Sequence, residues 1–184
     1  MMSILSRRSL ILGAGALVAA CDNSIGSGRP DELEQQVRQT ISSLQTQYPA
    51  TQQMIADAAG MLVLPKVGEA SFMLGGSYGE GALVIDNVIV DYYQSTQASV
   101  GLQVGAQEFS YVLFFMTPEA LRIFRTSPGW TAGADVEYTF DTTGGGYAAG
   151  TDTQINAIRA VVFDRSGLRV GASLAGTKYT RFLP

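Results

Sequence analysis

Ser77 lies in Gly75-Gly76-Ser77-Tyr78-Gly79, which fits the Gly-x-Ser-x-Gly pattern that carries the nucleophile of many serine hydrolases. That nucleophile needs a base to take its proton, and histidine is absent from all 184 residues. A Ser–Lys dyad with Lys66 or Lys178 is the remaining catalytic route. Against it stands the structural reading: glycines this dense permit a sharp turn or a close approach of two strands. The same glycines with Gly81 have the density of a phosphate loop, but such a loop leads into a helix N-terminus. Here Ala82-Leu83-Val84-Ile85 follows and reads as a strand. Asp141 and Asp152 flank another glycine stretch without the spacing of a calcium loop. With a single cysteine and no histidine, zinc sites and Cys–His nucleophiles are excluded as well. The expectation is a domain with no catalytic residue, no metal and no cofactor.

The cations offer a positive lead. Arg165, Arg169, Lys178 and Arg181 fall in the last twenty residues without one acid among them, although the chain carries a net charge of −4. Placed on neighbouring strands, they would meet phosphate headgroups, each worth about 1 kcal/mol near an anionic surface. The plainer alternative is a solvated strand face that pairs with acids elsewhere. The acidic balance speaks against nucleic acid, which needs a basic footprint. Tyr78, Tyr92, Tyr93, Trp130 and Tyr179 suit either an interface or a core.

Cys21 follows a three-part N-terminus: Arg7-Arg8, then an apolar run from Leu10 to Ala20 with small residues at its end. This is the layout of a secretory signal. At about 1.5 Å per residue the run spans roughly 16 Å as a helix, half of a ~30 Å hydrocarbon core, so a permanent span is not expected. Val18-Ala19-Ala20-Cys21 resembles a lipobox, where cysteine is acylated and the chain is cut before it; the alternative is an ordinary signal with a coincidental cysteine. Ser6-Arg7-Arg8-Ser9-Leu10 also resembles a twin-arginine signal, with the general export route as its alternative. Cys21 is thus the expected lipid attachment site, and no disulfide can form within the chain.

These groups need a scaffold. Residues 1–20 read as the signal, 21–30 as a polar, glycine- and serine-rich tether, 31–59 as helices and 60–184 as a β-rich domain. Leu33, Val37, Ile41, Leu44 and Tyr48 recur at steps of three and four, the face of an amphipathic helix that Pro49 ends. A second short helix is expected over 50–59. Strands follow at 61–64, 70–74, 81–85, 88–93, 98–106, 109–116, 136–140, 158–163, 168–174 and 178–182. Asp86-Asn87 and Asp164–Gly167 have hairpin-turn chemistry. The apolar parity flips past Gln107, which predicts a bulge or a tight turn near 105–108. The run 109–116 is apolar on both faces and therefore central. Thr117 and Pro118 open one inserted helix that buries Leu121 and Phe124, and 142–153 reads as a loop. The fold class is α+β, a mainly antiparallel sheet curled into a sandwich or partial barrel.

The segments GMLVLPKVGEASFMLGGSYGEGALVIDN, YYQSTQASVGLQVGAQEFSYVLFFMT, ALRIFRTSPGW and GASLAGTKYTRF, in this order, resemble the SYLF domain family in its bacterial branch. The resemblance runs from about Ala56 to the C-terminus. It implies binding to membrane phospholipids, since eukaryotic relatives bind phosphoinositides and bacterial ones are often envelope lipoproteins. In the eukaryotic branch a helix on the N-terminal side contributes to membrane contact; here Asp31, Glu32 and Glu34 make its start acidic. Glu69 stands where the family often has a second basic residue, which leaves Lys66 alone in its segment. The resulting expectation is an envelope lipoprotein facing the periplasm, with acyl chains such as palmitate on Cys21. Lys66, Arg165, Arg169, Lys178 and Arg181 are its candidate headgroup contacts. The alternative is a structural or protein-interaction module held at the membrane by its anchor alone.

Overall fold

The computed structural model describes residues 29–72, 74–100, 105–133, 136–138, 157–164, 167–168 and 174–184. Helices α1 (Arg29–Gln47) and α2 (Thr51–Asp57) precede strands β1 (Gly60–Phe72), β2 (Leu74–Ile85), β3 (Val88–Val100) and β4 (Gly105–Phe115). Helix α3 (Pro118–Thr126) follows, then β5 (Trp130–Thr131), β6 (Val136–Tyr138), β7 (Ile158–Asp164), β8 (Gly167–Leu168) and β9 (Lys178–Phe182). The described strands form one sheet in the order β5-β9-β3-β2-β1-β4-β7-β6, with β8 paired to β7. All pairings are antiparallel except β6 with β7.

Side chains show how strongly this sheet curls. Tyr111 on β4 and Tyr179 on β9 stand four strand steps apart, about 19 Å along a flat sheet. Their hydroxyls nevertheless meet at 3.0 Å, with ring centroids 6.4 Å apart. The sheet therefore wraps onto its own inner face as a partial barrel. That face holds a core with an aromatic cluster at its centre, in which Phe124 of α3 touches Tyr93, Phe115, Trp130 and Tyr179. On the outer face Leu33, Val37 and Leu44 of α1 and Met54 of α2 cover Met61, Val63, Val84, Val112 and Phe114. Strand β4 is buried on both sides, as its two apolar faces require.

Two features set strand register. Asp86 and Asn87 both have positive φ, 50° and 62°, the conformation of a two-residue turn that follows strand twist. The bulge lies on β1: the expected bulge or tight turn near 105–108 is instead the regular start of β4. Leu64 pairs with Tyr111 but Val67 with Phe109, so Pro65 and Lys66 together face Ser110. Proline has no N–H to give a ladder, and Ser110 Oγ instead donates to the Pro65 carbonyl at 2.7 Å. Opposite the bulge the backbones crowd: a Cβ on Gly81 would overlap the Val63 carbonyl oxygen and come within 2.8 Å of Leu64 Cγ. Close strand approach thus accounts for this glycine.

The expected strand 98–106 is divided. Ala98–Val100 closes β3 and Gly105–Ala106 opens β4, two strands that never pair because β1 and β2 lie between them. Alternation alone cannot tell one strand from two in succession. Of the expected 168–174 strand, Leu168 pairs with Phe163 of β7 while Leu174 is buried outside any strand. The expected loop at 142–153 and the residues up to Gly28, Cys21 included, lie outside the described residues.

Candidate functional site

Helix α3 starts where Thr117 accepts a hydrogen bond from the Ala120 amide at 3.2 Å, with Pro118 at its first position. Leu121 and Phe124 face the core, so Arg122 and Arg125, each one residue further on, share the outer flank. On β9, Tyr179 is buried and Arg181, two residues later, emerges on the same face beneath the end of α3. Three guanidiniums from two elements thereby border one depression of about 570 Å³, floored by Ala59, Pro118 and Leu121.

Asp91 on β3 holds two of them. Its side chain is 14% exposed and takes Arg125 Nη2 at 3.2 Å and Arg181 Nη1 at 3.5 Å, one on each oxygen. Arg181 Nη2 donates to the Arg125 carbonyl at 3.1 Å and to the Tyr93 hydroxyl at 3.4 Å, and the guanidinium lies 5.8 Å from the Tyr93 ring centre. The hydrogen bond to Tyr93, with the negative potential of Tyr93 and Asp91, raises the pKa of Arg181 above its usual value. Arg122 is held in bidentate fashion by Glu119, at 2.9 and 2.5 Å. That pair is exposed, so it fixes orientation more than stability. Three positive against two negative charges leave a small positive excess. Arg125 and Arg181 stay 42% and 48% exposed, with donors turned to solvent beside an apolar floor. The arrangement suits an oxyanion that carries an apolar group.

Of the sequence-predicted cations, Arg181 belongs to this cluster. Lys178 is exposed on β9, but its parity is opposite to that of Arg181, and it sits beside Gly129. Lys66 lies on the bulge of β1, paired with Glu108 at 3.0 Å. Arg165 and Arg169 fall outside the described residues. In the sheet, β8 pairs with β7, whereas Lys178 and Arg181 lie on β9, which pairs with β3. Arg122 and Arg125 went unnoticed in the sequence because α3 was read for its buried stripe. Their i,i+3 spacing opposite Leu121 and Phe124 was the available signal.

Ser77 lies mid-strand on β2, between Glu69 of β1 and Gln97 of β3. No strand-to-helix elbow exists there, and the chain's glycine run is a ladder segment. Among the described residues no three His, Cys, Asp or Glu side chains gather as a metal site, and no helix is long and apolar enough to cross a membrane.

Residues 96–181 match the model of the family described as Ysc84, Las17-binding protein actin regulator. The match takes in β4 through most of β9, hence Arg122, Arg125 and Arg181, and leaves out Asp91 and the two N-terminal helices. It begins later than the motif resemblance, which starts near Ala56. No curated protein matches the chain. Over the stretch that positions the arginine cluster, the chain is similar to the Ysc84 (SYLF) family.

Proposed function

We propose that this is a non-catalytic, membrane-anchored envelope lipoprotein whose SYLF domain binds anionic phospholipid through the depression between α3 and β9. The observation that carries the reading is the convergence of Arg122, Arg125 and Arg181 beside Ala59, Pro118 and Leu121. Charged donors would take the headgroup phosphate, and the apolar floor the glycerol and first methylenes. Exposed Ile123, between two of the arginines on α3, adds apolar surface at the same height. Acyl chains on Cys21 would supply the attachment, so the domain's own contact engages a further lipid or an apposed membrane.

Co-sedimentation of residues 22–184 with vesicles tests the domain's part. Binding to phosphatidylglycerol-containing vesicles that weakens with salt is expected, with little on phosphatidylcholine alone. Absence of binding to every composition contradicts it. For the anchor, Cys21→Ser should abolish metabolic palmitate labelling and membrane retention. The family description, which names binding to a protein, favours a second reading: an interaction module held by its anchor alone. Retained membrane localisation with no vesicle binding would support that reading instead.

A further inference from the structure

A second cleft, of about 800 Å³, opens between the flank of α1 and the bulge of β1 with the adjoining part of β4. Its volume falls in the ~300–1,000 Å³ range of small-ligand sites, and its lining mixes polar and apolar surface about evenly where such sites are mostly apolar. Helix α1 contributes Gln36, Gln39, Thr40, Ser43 and Gln47. Steps of three and four place them on one flank, next to the stripe that packs on the sheet. Each is neutral, and each carries both a donor and an acceptor.

A flank that merely faced water would not need this composition, because Lys and Glu sustain a helix better than Ser and Thr. After Arg38 no residue of α1 is charged. Gln39, Thr40, Ser43 and Gln47 form no side-chain hydrogen bond to another described residue, so their polar atoms are available. On the opposite wall the bulge is pinned by Ser110, and Lys66 and Glu108 cancel one another's charge. Phe163, 7% exposed and packed in the cluster beneath α1, supplies apolar lining together with Pro65. Bulges of this kind commonly re-aim side chains beside binding sites.

Such a lining has no net charge to select an ion, and its apolar surface is interleaved with donors and acceptors that an acyl chain would leave unpaired. Its paired donors and acceptors match hydroxyls, which also do both. We infer that the cleft binds a neutral oligosaccharide, whose hydroxyls meet the α1 row and the Lys66–Glu108 pair while a sugar C–H face lies against phenylalanine. This site is on the other face of the sheet from the arginine cluster and does not depend on lipid binding there.

The test is calorimetric titration of the full chain with chitotetraose, cellotetraose and maltotetraose, and with glycerol phosphate as an anionic probe. Saturable binding of at least one oligosaccharide is expected. The double variant Gln39→Ala/Ser43→Ala should weaken it about ten-fold, the worth of two neutral hydrogen bonds. Both positions are exposed, so the fold should persist; Ser43→Arg, which crowds the cleft from the same helix, should do the same. Arg122→Gln should leave sugar binding unchanged. Three results overturn the inference: no saturable binding of any of the oligosaccharides, sugar binding that neither cleft variant weakens, or stronger binding of glycerol phosphate than of every sugar.

Discussion

The inner and outer faces of the sheet are filled by different means. Inside, aromatic side chains of the curled sheet meet one another around Phe124, and the hydroxyl pair of Tyr111 and Tyr179 links strands four places apart. Outside, mostly aliphatic residues of the same strands, with Phe114 and Phe163 among them, are kept from water by α1 and α2. The inner face is self-contained and holds its charges rigidly, with Asp91 gripping two arginines. The outer face depends on a docked helix, and its rim is neutral. A single sheet thereby offers a cationic edge on one side and an uncharged polar cleft on the other.

The largest expected effect breaks the scaffold common to both faces. Gly81→Val forces a side chain into the backbone of the β1 bulge and should cost more than about 3 kcal/mol or prevent folding, since strand backbone cannot yield as side chains do. Gly68→Ala, with open space around its Cβ, should change urea-unfolding stability by less than about 0.5 kcal/mol.

Truncating each core separates the faces. Phe124→Ala should lose about 3–5 kcal/mol and Leu44→Ala about 2–5. Hydrogen exchange should tell them apart: Leu44→Ala frees amides of α1 first, whereas Phe124→Ala loosens β3, β4 and β9 together. Equal loss of protection on both faces in both variants would erase the distinction.

Asp91→Asn probes the held charges. Removing the carboxylate costs about 1–2 kcal/mol in urea unfolding, because the arginines stay half exposed and can hydrate. It also adds one positive charge to the depression and should tighten binding to anionic vesicles.

How much of this was legible follows from what each signal reports. The stripe Leu33-Val37-Ile41-Leu44-Tyr48 announced α1 and the face it buries, because helical packing is written at steps of three and four. Asp86-Asn87 and Thr117-Pro118 announced a turn and a helix start, because both are local chemistry. The bulge was misplaced because the alternation over 98–106 joins the end of β3 to the start of β4, and Pro65 is a cue only once β1 is known to face Ser110. The site was legible in part: Arg181 was named, but its companions were sought nearby in sequence. The sheet order that carries β9 to β3, and so to Asp91 and the end of α3, is long-range and leaves no local trace.

A smaller effect concerns the hold of α1 on the sheet. The Tyr92 hydroxyl donates to Glu34 Oε1 at 2.6 Å, which lowers the pKa of Glu34 and pushes that of Tyr92 up to about 12. A carboxylate depressed in the fold adds stability that is present above its ordinary value of 4.5 and lost as the pH falls through the lowered one. A phenol raised in the fold adds stability that is full below pH 10 and lost as the pH rises towards about 12. Tyr92→Phe should flatten both limbs of a stability–pH profile and cost about 1 kcal/mol at neutral pH. An unchanged profile would place the hold of α1 in its apolar stripe alone.

The most direct test compares the two faces at equal charge. Arg122→Gln and Lys66→Gln each remove one exposed cation, one beside the α3–β9 depression and one beside the α1 cleft. In vesicle co-sedimentation with anionic lipid at low salt, Arg122→Gln should weaken binding about five-fold, while Lys66→Gln should change it less than about two-fold. Equal losses in the two variants, or none in either, would contradict a headgroup site on the arginine face.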